Sequence, residues 1–230
     1  MMYGYSWDVS SPLSFAVSIV PILLIGLTVT LEATALGFAI AAVLGLVWAL
    51  LRRGAPAFIA WPVAGFVEFI RDTPLLVQLY FLYFVLPKYG ITLPAFLTGA
   101  IALGLQYSAY TSEVYRAGLD AIRRGQWEAG AALNLPRLRM YRDVLVPQAI
   151  PRVLPALGNY LVSMLKETPV LSTVSVVDML NLANVIGDRT FEYLVPLSMV
   201  GLIFLILTLA CSAGIRWLEW LMPKTGIPLR

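Results

Sequence analysis

The chain has 230 residues, of which 60% are hydrophobic and only 13% are charged. An ordinary soluble domain carries about 25% charged residues, so this composition predicts a membrane protein. The single cysteine, Cys211, and the absence of histidine argue against a disulfide framework, a metal site or Cys/His catalysis. The net charge is +3, and the basic residues are scattered between apolar segments, which argues against a nucleic-acid-binding surface.

Hydropathy predicts five membrane-spanning helices, because a helix needs about 20 apolar residues to cross the hydrocarbon core. The five segments are residues 20–51, 66–86, 94–112, 153–179 and 194–218. No Lys or Arg lies between Met1 and Ser14, so we expect no cleaved signal peptide and a retained first helix. The sequence thus predicts an all-α membrane protein with one transmembrane domain over residues 20–218. An N-terminal segment, 1–19, precedes that domain and a tail, 219–230, follows it.

The basic residues predict the orientation of these helices, because cytoplasmic loops retain Lys and Arg. If successive helices alternate in direction, one side receives Arg52, Arg53, Arg116, Arg123, Arg124, Arg137, Arg139, Arg142, Arg152, Arg216, Lys224 and Arg230. The other side receives Lys88 and Arg189. We therefore expect an extracytoplasmic N-terminus, a cytoplasmic C-terminus and a cytoplasmic polar segment over residues 113–152.

Two rows of small residues, spaced by four, mark helix faces that other helices can approach closely. They are Gly37, Ala41 and Gly45 in the first segment and Gly104, Ser108 and Ser112 in the third. The alternative is that these are the ordinary small residues of apolar helices. Glu32, also in the first segment, is expected to be a packing or pairing residue.

The polar segment 113–152 begins with an amphipathic helical pattern. Asp120 and Arg124 stand in the favourable i,i+4 order, and Gly125 is expected to break this helix. A short helix over residues 126–133 follows, with Glu128 near its positive end.

The end of this short helix is predicted by Asn134, which tolerates the left-handed conformation, and by Pro136, which prevents continuation. A second amphipathic piece, residues 137–146, is expected to end at Pro147. Trp127 stands beside a run of small residues, a combination typical of protein interfaces. The segment therefore predicts a contact with another protein; the alternative is a solvated loop.

The polar segment resembles a motif of permease subunits of ABC importers, which use it to contact their ATPase. That pattern is Glu-Ala-Ala, three residues, Gly, nine residues, Ile, one residue, Leu-Pro. The matching positions here are Glu128, Ala129, Gly130, Asn134, Val144, Val146 and Pro147. Gly130 replaces the second Ala, Asn134 replaces the Gly, and valines replace the Ile and the Leu.

The resemblance covers about residues 22–217 and is closest to the polar amino-acid branch. It is carried by the opening Gly125-Gln126-Trp127-Glu128-Ala129, by residues 68–79, and by Asn159 followed by Leu165-Lys166-Glu167-Thr168. The branch usually has Lys-Asp-Thr-Ser where this chain has Lys166-Glu167-Thr168-Pro169.

The resemblance implies a type I ABC importer permease fold in the inner membrane, with five transmembrane helices and a cytoplasmic coupling-helix loop. The implied ATPase-coupling residues are Gly125, Gln126, Trp127, Glu128, Ala129, Gly130, Asn134 and Pro147. The implied partners are an ABC ATPase pair, a second permease subunit of the same or a related chain, an extracytoplasmic solute-binding protein and membrane lipid.

The chain itself is expected to be a transport subunit and not an enzyme, with no bound cofactor or metal. It has no Gly-x-x-x-x-Gly-Lys-Ser/Thr loop, so ATP and Mg must be held by the ATPase subunit. The implied solute is a polar amino acid or a related zwitterion, amino-acid-like compatible solutes such as ectoine included. The alternatives are a stand-alone secondary transporter, for which longer chains with internal repeats are expected, and a non-transporting membrane scaffold.

Ionisable residues within a span are candidates for a transport pathway, since each is costly to place in lipid. Lys166 and Glu167 are such residues, and Pro169 is expected to free backbone carbonyls nearby. The candidate pathway residues are Lys166, Glu167, Thr168, Asn159, Tyr107 and Tyr110, with Gln106 close to the tyrosines. Alternatively, Lys166 pairs with Glu32 or Glu113, and the tyrosines are ordinary buried aromatics. Arg71 and Asp72 are expected to be locally paired charges at the membrane boundary.

Overall fold

The computed structural model describes residues 7–221, and within that range the chain is helical and contains no β-strand. The α-helices are α1 (Pro12–Gly54), α2 (Ala57–Asp72), α3 (Leu75–Tyr80), α4 (Ala95–Asp120), α5 (Arg124–Ala132), α6 (Arg137–Arg139), α7 (Val146–Glu167), α8 (Met179–Thr190) and α9 (Leu194–Leu221). Lys224 and Arg230, used above to predict orientation, lie outside the described residues.

Four segments with other helical geometry extend these helices. A π-helix, Phe81–Val85, and a 3-10 helix, Leu86–Tyr89, continue α3. A π-helix, Met140–Leu145, joins α6 to α7, and a 3-10 helix, Thr168–Val174, follows α7.

Two helices of the described chain, α1 and α9, are long and apolar enough to cross a membrane. Two further crossings are obtained only if a helix pair with a short break is counted as one span. These pairs are α2 with Leu75–Tyr89, and Met140–Val174 with α8. The described residues thus give two to four candidate spans, and the five-helix count remains a prediction.

The second predicted segment, 66–86, is not one continuous helix. α2 ends at Asp72, and Thr73 has extended backbone angles of φ −98° and ψ 136° before Pro74. A proline ring disfavours the α conformation of the residue before it, which explains the break. Hydropathy averages over a window and does not register such a local change.

The fourth predicted segment, 153–179, differs from the structure at both ends. Helical backbone continues through Pro147, so the prediction that a helix ends there was wrong. Pro147 is the second residue of α7, which follows the π-helix Met140–Leu145. A proline is tolerated in the first turn of an α-helix because its missing N–H needs no partner there. The α geometry of α7 then stops at Glu167, and residues 179–190 form a separate helix that hydropathy missed.

The described chain divides into two compact units. The first unit contains the residues up to Phe38, Pro74–Leu103 and Ser163–Ala210. Its core includes Phe15, Ile19 and Leu23 of α1 and Met179 and Ile186 of α8. Asp178 caps α8, since its side-chain oxygen accepts the backbone N–H of Asn181 at 2.8 Å.

The second unit contains Ala39–Thr73, Gly104–Val162 and the residues from Cys211 onward. In this unit Gly45 of the first row packs against Ser108 and Ser112 of the second row, which confirms that these residues form a packing face. Thr111 donates its hydroxyl to the Ala41 carbonyl at 2.8 Å, and a Cβ built on Gly45 would lie 2.9 Å from the Ser108 carbonyl oxygen. Trp48 donates its ring N–H to the Ser108 hydroxyl at 3.1 Å, at the same α1–α4 contact.

Candidate functional site

The candidate coupling helix is α5, and a non-helical segment separates it from α4. α4 ends at Asp120, and the Ala121 carbonyl accepts a hydrogen bond from the Arg152 guanidinium at 2.7 Å. The prediction that Gly125 breaks a helix was wrong, because Gly125 is the second residue of α5 and is exposed. The predicted pairing of Asp120 with Arg124 was also wrong, because helical geometry stops between them.

The C-terminus of α5 agrees with the prediction made from Asn134, which has a φ of +51°. The Asn134 N–H bonds to the Ala131 carbonyl and the Leu135 N–H bonds to the Gly130 carbonyl, both at 3.0 Å. These two bonds form a Schellman motif, which satisfies carbonyls that a helix end otherwise leaves unpaired. Asn134 thus serves in the turn where the permease pattern has glycine.

One face of α5 packs onto the chain itself. Gly130 is buried, and a Cβ built on it would lie 2.7 Å from Met140 Cε. The half-buried Trp127 meets Tyr141 edge to face, with ring centroids 5.7 Å apart. Both contacts join α5 to the π-helix Met140–Leu145. Gly130 and Trp127 therefore anchor α5 to the rest of the chain and do not point into solvent.

The opposite face of α5 is open to solvent in this chain. The exposed residues of α5 are Arg124, Gly125, Gln126, Glu128, Ala129, Ala131 and Ala132. The Gln126 side-chain oxygen accepts a hydrogen bond from Gln148 at 3.1 Å, which adds a polar tie to α7. Pro147 is exposed on α7.

A cluster of charged residues joins the end of α1 to α4 in the second unit. Arg52 pairs with Glu113, and Arg53 pairs with Asp120. Arg116 bonds to Glu113 at 2.7 Å and to Asp120 at 3.3 Å. Burial raises the pKa of Glu113, but the hydrogen bonds from Arg116 and Arg52 outweigh burial and hold that pKa below its ordinary value. Lys166 belongs to the first unit and Glu113 to the second, so the alternative pairing of these two residues stays a prediction.

The predicted pathway residues of the second unit lie in an aromatic cluster. Tyr110 stacks on Tyr160 with ring centroids 5.5 Å apart, and Tyr107 contacts both rings edge to face. Gln106 donates to the Tyr110 hydroxyl at 3.1 Å. Tyr107 is buried, and Asn159, the neighbour of Tyr160, is exposed.

The predicted pathway residues of the first unit stand where α7 ends. Lys166 and Glu167 are exposed, whereas Thr168 is fully buried and donates to the Leu165 carbonyl at 2.8 Å. The expected disruption near Pro169 is present, because a 3-10 helix begins at Thr168. Ser175 then adopts a positive φ of 63° before α8.

The remaining charged residues have simpler surroundings. Arg71 pairs with Glu68 at 3.1 Å, which confirms a local pairing for that arginine, and Asp72 is exposed. Glu32 is exposed on α1, which gives no support to a packing role within this chain.

Four residues that contact α5 or its flanking segments were not predicted to belong to this site: Arg53, Met140, Tyr141 and Arg152. Arg53 lies 67 residues from Asp120, its ion-pair partner, so no local pattern connects them. The available signal was the doublet Arg52-Arg53 at the end of an apolar helix, from which only the orientation of the helices was predicted.

Comparison with known proteins identifies the family. Residues 41–222 match the family model described as binding-protein-dependent transport system inner membrane component. The probable amino-acid ABC transporter permease protein y4tG of Sinorhizobium fredii is 60% identical over 231 residues, covering 100% of both chains. The arginine transport system permease protein ArtQ of Bacillus subtilis is 36% identical over 191 residues, which are 83% of this chain and 87% of the relative.

Solved structures agree with this assignment. A crystal structure of an amino acid ABC transporter with histidines matches with a TM-score of 0.86 and 36% identity, covering 92% of this chain and 99% of that one. An inward-facing structure of the methionine ABC transporter MetNI matches with a TM-score of 0.68 at 19% identity, covering 86% and 94%, which shows the fold alone. The chain therefore belongs to the family of binding-protein-dependent transport system inner membrane components, as the permease component of an amino-acid ABC transporter.

Proposed function

We propose that this permease imports a polar amino acid or a related zwitterion, using ATP that a separate ATPase pair hydrolyses. In this proposal α5 is the cytoplasmic coupling helix, and the ATPase holds ATP and Mg. ATP-dependent closure of the ATPase pair displaces α5, and the membrane helices reorient around the solute. The N-terminus is extracytoplasmic and the C-terminus cytoplasmic.

The observation that carries the proposal is the division of α5 into two faces. Trp127 and Gly130 fix one face to Tyr141 and Met140 of the same chain. The other face leaves Gly125, Glu128 and Ala129 exposed, and the small Gly125 and Ala129 let another protein approach closely. A helix that is anchored on one side and free on the other can receive a partner and pass its displacement to the chain.

The further partners follow from the family. Its name refers to a binding protein, which we assign to the extracytoplasmic delivery of solute. A second permease subunit, identical or related, completes the pathway within the lipid bilayer. The name of ArtQ refers to arginine, and the name of y4tG refers to amino acids without specifying one. Lys166 beside Glu167 balances the local charge, which favours a zwitterion, ectoine-like solutes included.

The test is to replace an exposed residue of α5 with a residue of opposite charge and larger volume. We expect Glu128→Arg and Gly125→Arg to insert into the membrane normally but to lower ATPase co-purification or solute uptake in proteoliposomes. Glu219→Arg, an equally drastic change at an exposed residue of α9, is the matched control and should retain both. Normal uptake by both α5 variants would refute the coupling role.

The same reconstitution separates the rival functions. Uptake that proceeds without the ATPase and responds to an ion gradient would identify a secondary transporter. A chain that binds partners but moves no solute under any condition would be a scaffold. Solute-dependent ATP hydrolysis together with uptake supports the importer.

A further inference from the structure

A cavity separates the end of α1 from α5. Its volume is about 630 Å³, and its lining includes Leu50, Arg53 and Gly54 of α1 and Trp127, Gly130 and Ala131 of α5. Close packing of apolar side chains therefore does not fill the space between these two helices. Any direct tie between them at this place has to cross an open gap.

Arg53 crosses that gap. Its guanidinium carbon lies 5.0 Å from the centroid of the Trp127 ring, within the range of a cation–π contact. The same guanidinium donates a hydrogen bond to the Asp120 carboxylate on α4. A planar guanidinium can stack on a ring and bond a carboxylate at the same time, whereas a lysine ammonium is a compact point charge.

We infer that Arg53 is a positioning residue for coupling, which ties α5 to the ends of α1 and α4. The inference rests on the proposed function of α5 and adds the route by which its displacement reaches α1. The Arg53 side chain also interacts with the Tyr141 side chain. Without Arg53, α5 keeps the contact of Gly130 with Met140 and that of Trp127 with Tyr141, both residues of the π-helix Met140–Leu145. In the absence of Arg53, α5 would stay folded and bind its partner, but a displacement of α5 would be transmitted less completely to α1.

The neighbouring arginine supplies a matched control. Arg52 also stands at the end of α1 and also pairs with an acid of α4, namely Glu113. Its side chain lines a different groove, together with Trp61, Glu68 and Arg116. Arg52 thus shares the ion pairing of α1 with α4 but not the contact with the tryptophan of α5 that defines the role of Arg53.

The experiment compares Arg53→Met with Arg52→Met in the complete transporter, reconstituted with its ATPase and binding protein in proteoliposomes. The readout is the amount of solute taken up per ATP hydrolysed, which a purely structural residue would leave unchanged in the assembled fraction. We expect Arg53→Met to lower this ratio roughly fivefold or more, the lower end of typical coupling strengths. Arg52→Met should keep the ratio of the wild type.

Two results would overturn the inference: a wild-type ratio in Arg53→Met, or an equal loss in both variants. If Arg53→Met does not assemble, Arg53→Lys and Trp127→Phe test the same contact by hydrogen exchange of residues 124–132. Arg53→Lys should speed that exchange more than Trp127→Phe, which keeps an aromatic face; wild-type exchange in Arg53→Lys refutes the contact.

Failure of this inference is distinguishable from failure of the proposed function. If Glu128→Arg abolishes coupling while Arg53→Met transports normally, α5 is the coupling helix and Arg53 has no part in it. If Glu128→Arg has no effect, the coupling role of α5 itself is wrong.

Discussion

Replacing Gly26 by alanine tests how closely α1 approaches the start of α8 in the first unit. A Cβ built on Gly26 lies 2.6 Å from Met179 Cα, 2.7 Å from Met179 N and 2.9 Å from the Asp178 carbonyl carbon. Ordinary contact with a Cβ begins at 3.4 Å. Because all three neighbours are backbone atoms, no side-chain rotation relieves the overlap, and α1 and α8 must separate by several tenths of an ångström.

The expected magnitude is the difference between two effects. Inserting a methyl group into a packed interior costs about 1–3 kcal/mol. Alanine gains about 1 kcal/mol over glycine in a helix interior, which offsets part of that cost. We therefore expect Gly26→Ala to lower the free energy of unfolding by up to about 2 kcal/mol.

The assay is thermal unfolding of the purified permease in detergent. For a chain of this size, 1 kcal/mol shifts the midpoint by about 2–4 °C, so Gly26→Ala should unfold several degrees below the wild type. Gly201→Ala and Gly214→Ala are controls on α9, where an added Cβ meets nothing within 4 Å, and both should unfold at or above the wild-type temperature. A Gly26→Ala midpoint equal to those of the controls would refute the close approach of the two backbones.

Three further predictions use the second unit. Asn134→Ala should destabilise α5 by about 1 kcal/mol, because alanine has a Cβ but lacks the short polar side chain whose local hydrogen bonding lets asparagine adopt the left-handed region. Asn134→Gly should not destabilise α5, and hydrogen exchange of residues 124–132 measures both. Thr111→Val should cost about 1 kcal/mol through loss of its buried hydrogen bond to Ala41, while Thr28→Val, at an exposed hydroxyl, should leave the unfolding midpoint unchanged. Because the pKa of Glu113 is lowered in the folded state, its ionised carboxylate stabilises the protein at pH values above the ordinary pKa of 4.5, and this stability is lost as the pH falls through the folded pKa. Glu113→Gln should therefore lower the unfolding midpoint at pH 7, and the midpoints of the variant and the wild type should converge in acid. A constant difference between these two proteins from pH 7 to acid would contradict the assigned ion pairing.

The sequence predicts features of this fold that depend on neighbouring residues. Apolar runs locate α1 and α9, because the cost of polar groups in lipid leaves few alternatives. The spacing of Ala41, Gly45 and Ser108 marks a packing face, because small residues are what permits close approach in a membrane. Asn134 predicts a helix end because few residues other than glycine tolerate a positive φ.

Features that depend on distant residues were not predictable in this way. Asp120 could pair with Arg124 only if the helix continued. The structure pairs Asp120 with Arg116 of its own helix, and also with Arg53, which is far away in the sequence. The interruption at Thr73 depends on the single Pro74, whose effect disappears in an average over a span. α8 is short, and its Asp178 cap and its amide and charged residues lower the hydropathy of the segment. The sequence therefore has no apolar run from which α8 could be predicted.

The orientation of α5 decides which of its residues can meet a partner. Trp127 and Gly130 are three residues apart and therefore share a face, and the structure turns this face toward Tyr141 and Met140. The permease pattern has alanine where this chain has Gly130, and a methyl group there would press on the flexible end of Met140. Because the end of the Met140 side chain can move, Gly130→Ala should be tolerated, whereas a branched residue should displace α5 from the π-helix Met140–Leu145. In the proposed function the ATPase recognises the face of Gly125 and Glu128. Truncation of Trp127 should therefore alter how α5 is held before it alters how tightly the ATPase binds.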